Sequence, residues 1–358
     1  MQKIVKVEHE INTADNLGHD VEANYRRLGK TGLNVPFFAF GGSAISGAPN
    51  PKYPPAALTA WSNIHDDKSR ASLHWWMHRR CNCFDMGGAA YGRATIDDKE
   101  IYGYSETLLG EALSLTDHRT GEKLGARATV ITKGGSVEIE RGGKKLPSFS
   151  WENLDYGMDC SLERLKMDSV DVFLMHGSPS EEAAARKSAE DMEKLGTRSK
   201  HYGYSLSFSA ETAAEQSEMW RKIYADYPFL DCMMIRVNFL DETYTEHVWP
   251  WAKEMDIGII ARTMLMVGRL TTRMLDVWGK DDKSEELQRL RKIRDYLVKE
   301  GVADSIEEAA LRYAMPFIHT GALATLSPSH LDTNIRHVLK GSLPEEAIKK
   351  IKRIRDEN

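Results

Sequence analysis

Cysteine is scarce in this chain: Cys81, Cys83, Cys160 and Cys232 are the only four among 358 residues. So few thiols exclude a disulfide framework and point to a reducing, cytoplasmic setting. No apolar run reaches membrane-spanning length, and the polar start Met1-Gln2-Lys3 does not read as a signal peptide. Basic charge is not in excess either, with 48 Lys and Arg against 53 Asp and Glu and a net charge of −5. That balance argues against nucleic acid or an anionic membrane surface as the main partner. Metal-ligand sets are equally thin. Cys81-x-Cys83 has no second cysteine pair nearby, and His74 and His78, four apart on an expected helix, lack a third ligand. No metal is expected.

What is present is a composition of 41% apolar and 28% charged residues, that of a soluble globular protein. After an arm of weak periodicity up to Asn24, Tyr25-Arg-Arg-Leu and Leu33-Asn-Val flank Gly29-Lys-Thr-Gly32, a β-hairpin signal. Eight short β-rich runs follow: Phe37 to Phe40, Cys81 to Met86, Thr129 to Lys133, Val170 to His176, Tyr202 to Leu206, Met233 to Asn238, Ile257 to Thr263 and Ala322 to Leu326. Helical stretches alternate with them, among them Ser105 to Leu115, Trp151 to Leu165, Glu211 to Tyr224 and Ser284 to Lys299. The reading is an α/β fold of residues 25–358: one (β/α)8 barrel with an N-terminal β-hairpin and a C-terminal helix from Pro344 to Ile354. An open doubly wound sheet needs a glycine-rich phosphate turn early in the chain. Gly41-Gly42-Ser43 does not supply one. The proline-rich stretch Pro49 to Pro55, with Trp61 and His65 beyond it, and the glycine- and charge-rich Ser136 to Pro147 are expected as loops on the functional rim.

Several strand ends carry polar groups that a buried strand does not need. They are Asp85 at the end of the second run, Lys133 at the end of the third and His176 at the end of the fourth, with Tyr91 on the loop beyond the second. In a barrel all four meet at one mouth. An ammonium beside a phenol favours the phenolate, and a carboxylate beside the lysine keeps the ammonium charged. A phenol tuned in this way gives a proton to a carbonyl oxygen or takes it back, while the histidine orients the carbonyl or assists the proton.

These residues resemble the aldo-keto reductase family, and the resemblance runs from about Tyr25 to about Val338. It rests on the opening hairpin, on Phe84-Asp85 with Tyr91-Gly92, on Ser105-Glu106-Thr-Leu-Leu-Gly110, and on Asp159-Cys-Ser-Leu-Glu-Arg-Leu165. Val170-Asp171-Val-Phe-Leu-Met-His176 and Ser327-Pro-Ser-His-Leu-Asp-Thr-Asn334 complete it in the family's order. The resemblance implies a tetrad of Asp85, Tyr91, Lys133 and His176 with Tyr91 as proton donor. It also implies a nicotinamide dinucleotide, NADP(H) ahead of NAD(H), and a carbonyl or alcohol on a small polar metabolite or sugar.

The departures from the family pattern gather on the cofactor side. Asp85 and Tyr91 are one residue further apart than usual, and Gly87-Gly88 is expected to absorb the difference. Leu206 follows Ser205 where an asparagine is usual, and Met234 stands at a glutamine position, with Asn238 nearby. Arg262, before Thr263, replaces a tyrosine that stacks on the nicotinamide; a guanidinium plane also stacks. Ala324 and His330 stand where a cation often meets the 2′-phosphate, which weakens the preference for NADPH. Gly42, Ser205, Asn238, Arg262, Thr263, Ser327, His330 and Asn334 are the cofactor-binding candidates. The alternative is a barrel with a degenerate cofactor site, acting as a binding or regulatory subunit or as a non-redox proton-transfer enzyme.

Overall fold

The computed structural model describes residues 25–45, 66–96, 99–117 and 120–357. The arm up to Asn24, the stretch Pro49 to Pro55, Trp61 and His65 lie outside the described residues. Eight parallel strands close into a barrel in chain order. They are β1 (Phe38–Gly41), β2 (Cys83–Asp85), β3 (Thr129–Gly134), β4 (Val170–Met175), β5 (Ser199–Ser205), β6 (Leu230–Arg236), β7 (Gly258–Arg262) and β8 (Thr320–Leu323). The ring closes where Leu323 pairs with Phe40. The (β/α)8 barrel expected from the sequence is the observed fold.

Helices pack outside it: α1 (Asp66–His78), α2 (Tyr104–Leu113), α3 (Trp151–Leu165), α4 (Glu182–Glu193) and α5 (Ala213–Asp226). Two short pieces, α6 (Thr243–His247) and α7 (Trp249–Glu254), follow β6, and α8 (Glu285–Lys299) and α9 (Ile306–Ala314) precede β8. Last come α10 (Pro328–Leu339) and the C-terminal α11 (Glu345–Asp356), which buries Ala347, Ile351 and Ile354 at helical spacing. Among the described residues no helix is long and apolar enough to cross a membrane.

Alternate residues of the short strands point inward, and Cys83, Ile131, Val172, Leu174 and Ile260 fill the barrel. The hairpin pairs Tyr25–Arg27 with Asn34–Pro36 and inserts Leu28 and Val35 into that cluster from the amino end of the strands. Its Gly29 adopts φ +49, and a β-carbon there would lie 2.4 Å from the Gly258 nitrogen, so only glycine fits.

Three strands begin earlier than hydropathy suggests. β5 starts at Ser199 rather than Tyr202, β6 at Leu230 rather than Met233, and β8 at Thr320 rather than Ala322. The polar residues at two of these starts are paired: Lys200 with Asp171 at 2.8 Å, and His201 Nδ1 with Asp231 Oδ2 at 2.5 Å. Residues 136–147, expected as a rim loop, instead form a two-stranded hairpin, Ile139–Arg141 with Lys144–Leu146. Gly142 and Gly143 make its turn at φ +58 and +81. A second hairpin, Arg93–Ile96 with Lys99–Tyr102, was not expected at all.

Candidate active site

Asp85 ends β2, and the chain must then turn sharply to bring Tyr91 back over the mouth. Gly87 and Gly88 make this possible. A β-carbon on Gly88 would lie 2.3 Å from the Lys133 carbonyl oxygen, and one on Gly87 would lie 2.5 Å from the Tyr91 ring. Gly88–Ala90 forms a single 3-10 turn, which takes up the extra residue between aspartate and tyrosine. The tyrosine backbone is then clamped from the next element: Ser105 Oγ donates to the Tyr91 carbonyl at 2.9 Å, and Gly103 N–H donates to Gly92 O at 2.9 Å.

Lys133 is the charge at the centre. It is fully buried, donates to Asp85 Oδ1 at 2.5 Å and to the Met86 carbonyl at 2.6 Å, and its Nζ stands 5.2 Å from the Tyr91 ring centre. Burial pushes the Asp85 carboxyl above the usual carboxylate range, and Lys133 and then Arg262 pull against that rise. His176, at the end of β4, meets the Tyr91 ring edge-on with centres 5.7 Å apart. Burial first, then the charges of Lys133 and Arg262, lower its pKa to about 3. It is a neutral imidazole at physiological pH, and its Nδ1 has no hydrogen-bond partner among the described residues. The four candidates therefore stand together: a charged pair beneath a phenol ring, flanked by a neutral imidazole. A carbonyl oxygen placed between phenol and imidazole would meet one proton donor and one orienting group.

The other half of the mouth is built differently. Ser205 is buried at the end of β5, in register with Met234. Met234 is itself buried in the apolar filling of the barrel, and Leu206 is fully buried. The Leu206 carbonyl accepts from Arg262 Nη2 at 3.0 Å and from the Tyr244 hydroxyl at 3.3 Å. Arg262 ends β7, and its guanidinium thus reaches across to the β5 end. Asn238 gives its Oδ1 to the N–H groups of Leu240 and Asp241, both at 3.0 Å, and so caps its own loop. Gly42 packs against β2, where a β-carbon would lie 2.3 Å from Met86 Sδ.

Three features on this side suit a dinucleotide. Thr263 Oγ1 is buried and unpartnered among the described residues. Thr263, Met266 and Val267 all hold positive φ, +58, +48 and +55, a concentration of backbone strain beside the mouth. Ser327 caps α10, accepting from His330 N–H at 3.4 Å, with His330 exposed and Asn334 buried along the helix. A helix N-terminus of this kind attracts phosphate.

Sequence reasoning did not foresee the reach of Arg262 to the Leu206 carbonyl, or its electrostatic influence on His176 and Asp85. Its position as the last residue of a strand was the available signal, the same one that marked Lys133. The thiols of Cys81 and Cys83 are free and buried, and burial pushes Cys81 up to about 12. Among the described residues no group of three His, Cys, Asp or Glu side chains is placed to hold a metal.

Comparison with known proteins places these observations. The family model described as Aldo/keto reductase family matches residues 58–356. Among solved structures, the holo form of aldo-keto reductase AKR11C1 from Bacillus halodurans superposes with a TM-score of 0.64 at 18% identity, covering 92% of this chain and 96% of that one. Glycerol dehydrogenase AKR11B4 from Gluconobacter oxydans gives 0.64 at 19% identity, covering 93% and 95%. No curated protein sequence matches the chain.

Proposed function

Because the chain belongs to the aldo/keto reductase family, we propose that it interconverts a carbonyl and an alcohol on a small polar metabolite or sugar. The cofactor in this reading is a nicotinamide dinucleotide, NADP(H) ahead of NAD(H). The observation that carries it is the buried Lys133–Asp85 pair beneath the Tyr91 ring, with neutral His176 at the ring's edge.

The bound dinucleotide supplies the hydride in reduction and accepts it in oxidation. Everything else falls to the chain's own residues. Lys133 holds a positive charge beside the phenol ring, which favours negative charge developing on the Tyr91 oxygen as its proton leaves. Asp85 keeps the ammonium aimed by a direct hydrogen bond. The Tyr91 proton passes to the substrate oxygen in reduction and returns in oxidation. His176, being uncharged, orients that oxygen without competing for the proton. On the cofactor side Ser205, Arg262, Thr263 and Gly42 are assigned to the nicotinamide half. Ser327, His330 and Asn334 are assigned to the adenosine phosphate half, with Asn238 supporting the loop between.

Replacing Tyr91 by Phe is expected to lower kcat by about 10²–10⁴, measured as NADPH consumption with an aldehyde panel. Near-normal turnover would remove Tyr91 from its role. A second reading is favoured by one observation, the apolar Leu206 and Met234 at positions that usually hold the nicotinamide amide. In that reading the barrel no longer turns over a cofactor and serves as a binding subunit or a proton-transfer enzyme. Fluorescence titration with NADPH, NADP+, NADH and NAD+ separates the two. Saturable binding supports the oxidoreductase, and no binding to the folded protein supports the second reading.

A further inference from the structure

Phe149 holds a left-handed backbone conformation, φ +59, which an aromatic residue rarely adopts. Its own N–H and its neighbour Ser150 hold it there. Phe149 N–H donates to Gly135 O at 2.8 Å, and Ser150 Oγ donates to Pro147 O at 2.8 Å while accepting from Asn153 N–H as the cap of α3. Asn153 in turn holds the hairpin after β3 by donating to Val137 O and Leu146 O, at 2.9 and 3.0 Å. The strained conformation sends the ring over two glycines at the strand ends. A β-carbon on Gly177, the residue after His176, would lie 3.5 Å from Phe149 Cζ, and one on Gly135 would lie 3.7 Å from its Cδ1. Both glycines also have positive φ, +120 and +91; Gly177 offers no side chain to the ring, while at Gly135 the Met175 and Leu154 side chains approach beside it.

For all this Phe149 is 39% exposed, although its ring edge approaches Gly135 beside the core side chains Leu154 and Met175. Core packing accounts for one side of it and leaves the other open. A strained backbone that holds a partly exposed aromatic ring over Gly177, the residue after His176, offers a contact surface at this strand end.

We propose that Phe149 is a specificity-determining residue of the site: its ring supports the C–H face of a substrate's carbon chain beyond the carbonyl. The inference rests on the functional reading above, which places the carbonyl between Tyr91 and His176. On this proposal a four- or five-carbon hydroxyaldehyde lays an apolar edge on the ring while its hydroxyls face water, and a substrate with only one carbon past the carbonyl makes no such contact.

The test is steady-state reduction of glycolaldehyde, glyceraldehyde, erythrose and xylose with the preferred dinucleotide, in wild type, Phe149→Ala, Phe149→Gly and Phe149→Trp. In Phe149→Ala the preference for xylose over glycolaldehyde, as a ratio of kcat/KM, is expected to fall about tenfold, the effect of losing one aromatic contact. The loss should enter through KM and grow with chain length. Phe149→Trp should restore the preference. Phe149→Gly, which relieves the backbone and removes the ring, should lose the preference as Phe149→Ala does, while its melting temperature rises above that of Phe149→Ala. An active wild type whose preference survives both truncations overturns this inference alone. A loss equal at every chain length does the same, because it would mark a structural role. Failure of wild type to reduce any of the four with any dinucleotide overturns the functional reading, and this inference with it.

Discussion

The two halves of the barrel mouth are built on opposite principles. From β2 to β4 the strand ends present a buried charged pair, Asp85 and Lys133, held by a direct hydrogen bond, with the neutral His176 beside the Tyr91 ring. From β5 to β7 the mouth presents Leu206 after β5, Met234 inside β6, and Arg262 at the end of β7, tied to a backbone carbonyl. Burying charge is costly, and a protein keeps a buried ion pair beneath a phenol only where something depends on it. The second half presents apolar side chains at Leu206 and Met234, where a neutral hydrogen bond would contribute only about 0.5–1.5 kcal/mol each. The lesson concerns tolerance. In the proposed function, proton transfer depends on each of a few atoms, whereas dinucleotide binding would be spread over many contacts and tolerate the lack of some.

The contrast is broken most sharply on the charged side. Lys133→Met leaves the Asp85 carboxylate buried without its partner and should destabilise the protein by about 3–5 kcal/mol, measured by urea denaturation. Adding Asp85→Asn should recover a large part of that. A single variant as stable as wild type would mean that the pair is not the strained, committed element described here. On the other side, Leu206→Asn with Met234→Gln should tighten dinucleotide binding by about ten- to hundredfold, or about 1–3 kcal/mol for two restored hydrogen bonds. Unchanged dissociation constants would show that the dinucleotide does not reach these strand ends. The gentlest test is pH. The unfolded chain takes up a proton at His176 below about 6.5, while in the fold this histidine resists protonation down to about 3. Below about 6.5 the unfolded state therefore binds more protons, and stability falls as pH drops toward 3. His176→Asn should flatten that part of the profile, and an unaltered slope would show that other groups carry it.

The order of elements was legible in the sequence because each strand is short, apolar and bounded by polar or glycine-rich segments. All eight strands and the principal helices lie within about three residues of expectation. The errors have physical causes. Ser199, Lys200 and His201 look like loop, yet their polarity is met by Asp171 and Asp231 on neighbouring strands, which no local pattern reveals. The Gly142-Gly143 hairpin was hidden by Glu140, Arg141, Lys144 and Lys145, whose charges mask the alternation of Ile139 and Leu146. At the site, Asp85, Lys133 and His176 could be placed from strand ends alone. The glycine step that seats Tyr91 was foreseen as to place but not as to form. The span of Arg262 to Leu206, and the left-handed Phe149, depend on backbone geometry that residue types do not encode.

The hairpin at the floor of the barrel has a consequence for isotope exchange. Leu28 and Val35 fill the amino end with apolar side chains, and the Gly29 turn sits against the Gly258 backbone with no room for a β-carbon. Above them Cys83, Ile131 and Leu174 continue the apolar filling toward the buried Lys133–Asp85 pair. Among the described residues, the opening lined by Tyr91 and His176 is the approach for deuterons from solvent to the ammonium. The exchange lifetime of the Lys133 protons becomes a clock for the opening of the mouth, and it should lengthen whenever that opening is occupied.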